Sequence, residues 1–204
     1  MKALKDLLNG VKKMKIPIAR TNLLKHEKNS VLDPLESGWI VQGPKVEEFE
    51  KKWSDFTNSN YSIALTSCTS GLHLSLAALG FGPGDEAIVP AFTWISTANV
   101  VEHMGGKVLF CDIDLNTFNI DANKIEELIN PNVKVILPVH LFGLSANMNP
   151  ILQIAKKHNL KVIEDAACGF GSKYENIHVG NFGDVGVFSF HPRKAITTGE
   201  GGMV

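Results

Sequence analysis

The chain has 204 residues, of which 44% are hydrophobic and 20% charged, and Lys+Arg 20 against Asp+Glu 21 leaves a formal net charge of -1. That balance excludes the basic footprint of a nucleic-acid-binding protein or of one held to an acidic membrane surface, while leaving room for a local anion pocket. Three cysteines (Cys68, Cys111 and Cys168) without a CxxC pair exclude a disulfide framework and a structural zinc centre, and point to a reducing, cytoplasmic compartment.

Residues 1–15 are lysine-rich, are interrupted by Gly10 and read as an N-terminal extension. The apolar pair Leu7-Leu8 is too short for the apolar region of a secretory leader. Residues 38–44 form a turn-rich stretch ending in Pro44, a residue suited to the first turn of a helix. Val46, Phe49, Trp53 and Phe56 then recur at helical spacing, with Glu47 and Glu48 near the positive end of the helix dipole. Short apolar runs follow at residues 63–65, 87–89, 108–110, 133–137, 162–163 and 185–188, and another strand opens near 201–204. Between them, segments 69–79, 96–104, 122–129 and 149–158 have helical length and spacing. The longest uncharged stretch, 135–155, carries Pro138, Asn147, Asn149 and Pro150. It therefore falls short of the ~20 predominantly apolar residues of a membrane span. Apolar strands alternating with helices predict an α/β fold, a mainly parallel sheet covered on both faces. Ligands of such sheets collect beyond the carboxyl ends of the strands, which makes the residues after each run the candidates for chemistry.

After the first run, Thr66-Ser67-Cys68-Thr69-Ser70-Gly71 places small hydroxyl residues at a helix start. They serve either as a plain N-cap or as a phosphate cradle of free backbone N–H groups. No GxGxxG or GxxxxGK[ST] pattern supports a dinucleotide or a P-loop nucleotide. After the second run, Phe92-Thr93-Trp94 offers aromatic rings that are either core or a stacking surface for a planar ligand. After the fifth, Glu164 and Asp165 leave an apolar strand where carboxylates are costly without partners. Asp165 suits a protonated ring nitrogen, a metal or a helix cap. After the sixth, Lys194 lies in an irregular stretch, either as a solvated residue or as a buried amine able to form a Schiff base. A phosphate cradle, a flat aromatic, a carboxylate and an amine are together the parts that pyridoxal phosphate (PLP) asks for.

These residues fall in ordered motifs: 67–71, 80–86 (GFGPGDE), Val89-Pro90 with Phe92-Thr93, Asp112-Ile113-Asp114, 138–143 (PVHLFG), Glu164-Asp165-Ala166-Ala167 and 188–202. With them the chain, from about Ile16 to Val204, resembles the DegT/DnrJ/EryC1/StrS family of PLP-dependent nucleotide-sugar aminotransferases. The resemblance implies the large domain of the aspartate-aminotransferase fold (PLP fold type I), three layers around a seven-stranded, mainly parallel sheet. A smaller C-terminal domain would follow, in a homodimer with shared active sites. Residues 16–204 are then expected to be an incomplete cofactor-binding domain with the small domain absent, and the 204-residue chain to be inactive by itself.

The resemblance also implies roles. Lys194 would form the Schiff base to the cofactor and shuttle protons. Asp165 would pair with the pyridinium nitrogen, and Trp94 would stack on the ring. Thr69, the backbone of Ser70 and Ser189 would bind the phosphate. Cys168 stands where many members carry Gln or His beside the ring hydroxyl. No metal is expected. The implied reaction moves an amino group from an amino acid, typically L-glutamate, to a keto group of a nucleotide-linked keto-deoxysugar, in surface-polysaccharide or glycan synthesis. The implied partners are that nucleotide sugar and the amino-acid donor, with neither nucleic acid nor membrane. Lys194 stands where the family's sugar dehydratases place His, which favours transamination. A PLP-binding regulatory or non-catalytic member is the other alternative.

Overall fold

The computed structural model describes residues 16–17 and 19–204, so the expected N-terminal extension, residues 1–15, lies outside the described residues. Two short helices, α1 (Lys25–Ser30) and α2 (Leu32–Ser37), lead to α3 (Pro44–Thr57). Pro44 stands at the start of α3, where its missing N–H has no intrahelical acceptor to lose. Then come β1 (Ala64–Leu65), α4 (Cys68–Ala78), β2 (Glu86–Pro90), α5 (Ser96–His103), β3 (Lys107–Cys111) and β4 (Val133–Ile136). The described chain continues through α6 (Met148–His158), β5 (Lys161–Asp165), β6 (Lys173–Tyr174), β7 (Ile177–His178), β8 (Val185–Ser189) and β9 (Gly202–Met203).

Seven strands form one sheet in the order β1-β9-β8-β5-β4-β2-β3. β3, β2, β4, β5 and β8 pair in parallel. β9 is antiparallel to both of its neighbours, β1 and β8. The sheet is apolar on both faces because alternate residues of one strand point to opposite layers. Ala87, Val89, Val135, Leu137, Ile163 and Val187 pack against Leu72 and Leu76 of α4 and Val100 and Val101 of α5. Ile88, Ile136 and Val162 face the other way, against Ile151 and Ala155 of α6 and Ile125. Each fully buried Leu, Ile or Val contributes about 1.5–3 kcal/mol by leaving water. The resulting helix–sheet–helix stack is the three-layer fold expected from the resemblance.

A third cluster seats α3 on the same framework. Trp53 meets Phe188 at 4.9 Å, Phe190 at 5.1 Å and Phe170 at 5.4 Å between ring centroids. α3 thus braces the end of β8 and the segment that follows it, the stretch that carries Lys194.

The six apolar runs all hold strands, and the strand expected near 201–204 is β9. One expected helix is different. Residues 122–129 fold as two 3-10 turns, Ala122–Lys124 and Glu126–Leu128, rather than as an α-helix. Asp121 caps the first by accepting the Asn123 N–H at 3.0 Å, and Ile129 is already extended (φ -74°, ψ 126°). Asp121 fixes the start and Pro131 disfavours helical geometry at Asn130, so the segment closes as two short turns about the buried Ile125. The hairpin β6–β7 has no counterpart among the sequence expectations. Its turn residues Glu175 (φ 47°) and Asn176 (φ 69°) are both left-handed, the geometry of the two-residue turn that matches strand twist.

Candidate active site

The parallel strands deliver their last residues to one edge of the sheet, and a cavity of about 340 Å³ opens there. Its wall includes Ser67, Thr69, Trp94, His140, Asp165, Cys168, Ser189 and Lys194. Six of the seven expected site residues therefore meet on one cavity, from four separate segments of chain. The exception is Ser70, which is not among the lining residues.

The hydroxyl cluster at the start of α4 is an N-cap. Ser67 caps α4, its Oγ accepting the Ser70 N–H at 3.0 Å. That bond commits the Ser70 amide, while the Cys68 and Thr69 amides, in the first turn, have no intrahelical acceptor. The hydroxyl of Ser70 lies 2.9 Å from Ser67 Oγ and 3.1 Å from Thr66 Oγ1, so it too is engaged locally. Cross-strand register brings Ser189 to the same place. Leu65 pairs with Gly202, and Gly202 pairs with Ser189. Gly202 sits so close to the helix start that a Cβ there would lie 2.6–2.7 Å from backbone atoms of Ser67 and Cys68. Glycine at 202 thus lets β9 slide under the helix start, and Ser189 lines the same cavity as Cys68 and Thr69 at the positive end of the dipole.

Asp165 ends β5 and is fully enclosed, with 3% of its surface exposed. The Thr97 hydroxyl donates to its Oδ2 at 2.8 Å, and the Ala167 N–H donates to its Oδ1 at 3.1 Å. Burial pushes the Asp165 carboxyl above the usual carboxylate range, against those two bonds and the positive charge of Lys194. A buried carboxylate held by neutral donors at a cavity wall is stabilised further by any cation brought next to it. Thr97 was not legible as a site residue. It is buried on α5, one turn beyond Trp94, and the Thr93 and Thr97 hydroxyls lie 3.0 Å apart.

Glu164, one residue earlier, points to the other face. The amides of Gly180, Phe182 and Gly183 donate to its two oxygens at 2.7–2.8 Å. His140 Nδ1 accepts the Ala146 N–H at 3.1 Å, so its proton is on Nε2, which donates to Glu164 at 2.8 Å. Both side chains are completely buried. This pair fixes His140 in the cavity wall and ties residues 180–183 to β5. The sequence signalled it only as a carboxylate in need of partners.

Trp94 lies just before α5 and is 73% exposed, its indole forming an open wall of the cavity. Lys194 sits in the segment between β8 and β9. The Phe190 N–H donates to Gly201 O at 2.9 Å and closes that segment at its base, and the Lys194 N–H donates to His191 O at 2.8 Å. The Lys194 Nζ–H donates to Cys168 Sγ at 3.2 Å. His191, Arg193 and Glu200 line the cavity around it. Among the described residues, no group of three or more His, Cys, Asp or Glu side chains is placed to hold a metal ion. No described helix is long and apolar enough to cross a membrane.

The chain is 46% identical to GDP-perosamine synthase of Caulobacter vibrioides over 191 residues, which is 93% of this chain and 52% of that protein. It is 43% identical to the spore coat polysaccharide biosynthesis protein SpsC of Bacillus subtilis over 189 residues, 93% of this chain and 49% of that protein. The chain thus spans about half the length of the curated relatives it matches. Among solved structures, NtdA from Bacillus subtilis with bound cofactor PMP superposes with a TM-score of 0.86 at 37% identity, covering 95% of this chain and 45% of that one. A family model matches residues 22–204, so the chain belongs to the DegT/DnrJ/EryC1/StrS aminotransferase family.

Proposed function

We propose that this chain carries the cofactor site of a pyridoxal-phosphate-dependent aminotransferase. The enzyme would move an amino group from an amino acid, L-glutamate foremost, to a keto group of a nucleotide-linked keto-deoxysugar in polysaccharide or glycan synthesis. One observation carries the reading. An amine (Lys194), a buried carboxylate (Asp165), an open indole (Trp94) and a helix start with free amides converge on one cavity. Its volume of about 340 Å³ lies within the ~300–1,000 Å³ usual for small-molecule sites. The residues present fit the cofactor: its phosphate suits the start of α4, and its ring nitrogen suits a carboxylate that burial leaves short of positive charge.

When bound, pyridoxal phosphate supplies a carbonyl that exchanges amino groups and a ring that withdraws electrons. The chain supplies the rest. The Cys68 and Thr69 amides and the Ser189 hydroxyl hold the phosphate. Asp165 keeps a proton on the ring nitrogen, and Thr97 and Ala167 hold Asp165 in place. Trp94 would cover one face of the ring and exclude water from it. The Lys194 amine would hold the cofactor at rest, and would accept and return the proton that moves during amino transfer. Arg193 offers a cationic donor to an anionic substrate at the mouth, beside the ring of His191.

A lysine at 194 keeps transamination ahead of dehydration. The homodimer with shared sites, the cytoplasmic location and the reading of residues 16–204 as one part of a longer enzyme, inactive when taken alone, belong to the same proposal. Exposed Phe92, Phe110 and Phe142 support the first of these.

Adding L-glutamate to the cofactor-loaded protein as the cell makes it should bleach the yellow absorbance of the cofactor. Lys194→Ala should slow that change by about 10²–10⁴-fold. No change with glutamate or any other amino acid donor would favour the non-catalytic reading.

A further inference from the structure

The three cysteines occupy different surroundings. Cys68 and Cys111 are buried, and burial pushes both thiols up, that of Cys111 to about 11. A buried, neutral thiol is inert. Cys168 is exposed, forms part of the cavity wall, and receives the Lys194 Nζ–H at 3.2 Å. Among the described residues that bond is the side-chain hydrogen bond Cys168 makes. A solvent-accessible sulfur thus stands in contact with the nitrogen on which the proposed chemistry depends.

We propose that Cys168 and Lys194 form an oxidation site, in which hydrogen peroxide converts the thiol to a sulfenic acid and the Lys194 amine closes on that sulfur as a sulfenamide. In the first step the sulfur attacks one peroxide oxygen. The S–O bond forms, the O–O bond breaks, and the thiol proton leaves with the other oxygen as water. Sulfur gives up two electrons and the peroxide takes them. In the second step Nζ attacks sulfur. The S–N bond forms, the S–O bond breaks, and the hydroxyl departs as water with a hydrogen from the amine. Sulfenic acids condense in this way with thiols and with backbone nitrogen. A flexible lysine amine already in contact with the sulfur needs less rearrangement than a backbone amide. A small thiol reductant reverses the link by attacking sulfur and releasing the amine.

The link forms only while Lys194 is a free amine, so a bound cofactor protects the pair, and an empty site exposes it. Oxidation then holds the empty protein in a form that cannot take up pyridoxal phosphate until it is reduced. This consequence rests on Lys194 being the cofactor lysine, whereas the cross-link itself does not.

The test is peptide mapping by mass after hydrogen peroxide treatment of protein stripped of cofactor, with the loaded protein beside it. The stripped protein should yield a peptide pair joining Cys168 to Lys194, lighter by two hydrogens than the separate peptides and lost on adding dithiothreitol. Cys168→Ser should abolish the pair. Lys194→Arg should abolish it too, while leaving a sulfenic acid at Cys168 that dimedone captures. A disulfide between Cys168 and Cys68, a sulfenic acid that persists beside a free Lys194, or an unoxidised Cys168 would each overturn the proposal. A cross-linked protein that still binds pyridoxal phosphate fully would leave the oxidation site standing and sink the assignment of Lys194 as the cofactor lysine.

Discussion

Asp165 shows how one residue trades stability for chemistry. Its carboxyl is raised above 3.8 by burial, so ionising it opposes folding of the cofactor-free chain. The sign follows from proton binding. A carboxyl with a raised folded value binds more protons when folded, and the stability it lends in acid is lost as pH climbs from 3.8 through that value. Asp165→Asn should therefore raise the urea midpoint of the cofactor-free protein at neutral pH, and the gain should shrink in acid. The same substitution should weaken pyridoxal phosphate binding, because nothing then holds the ring nitrogen's proton. A midpoint lowered equally at both pH values would mean that Thr97 and Ala167 already offset the burial cost. Asp165 and Lys194 were legible in the sequence because each follows an apolar run. Thr97 was not, since its bond to Asp165 joins residues 68 positions apart. Ser70 shows the converse: the sequence offered its amide as a free donor, and the Ser67 side chain occupies it.

At the scale of elements, legibility follows burial. β2, β4, β5 and β8 are covered on both sides, and each reads as a short apolar run, broken in β4 by the exposed Lys134. Residues 122–129 carry the apolar spacing of a helix, yet the turn residues around them leave two 3-10 turns. The β6–β7 hairpin lacks the glycine that usually marks a two-residue turn, so Glu175-Asn176 gave no warning of it. α3 was legible through Trp53, and the structure shows what that residue does. It packs on Phe188 and Phe190, the residues on either side of Ser189. Trp53→Ala should cost about 3–5 kcal/mol in urea unfolding, as aromatic-to-alanine changes in cores do. Phe56→Ala, at a ring 58% exposed on the same helix, should cost clearly less. Equal losses would mean that α3 is held by its length rather than by this aromatic contact.

Over the whole molecule, the described chain supplies all seven strands of the sheet, and the antiparallel β9 lies between β1 and β8. That insertion joins the two ends of the site. It sets Gly202 under the start of α4, closes the segment that carries Lys194, and aligns Ser189 with both. One strand thus brings together the start of α4 and the segment of the lysine, although 125 positions separate Thr69 from Lys194 (194 − 69). The central claim is that Lys194 is the residue on which the cofactor is held. Loading the protein with pyridoxal phosphate, reducing with borohydride and mapping the labelled peptide by mass tests it directly. The label should fall on Lys194 and vanish in Lys194→Ala. A label on another lysine, or a protein that takes none, would contradict it.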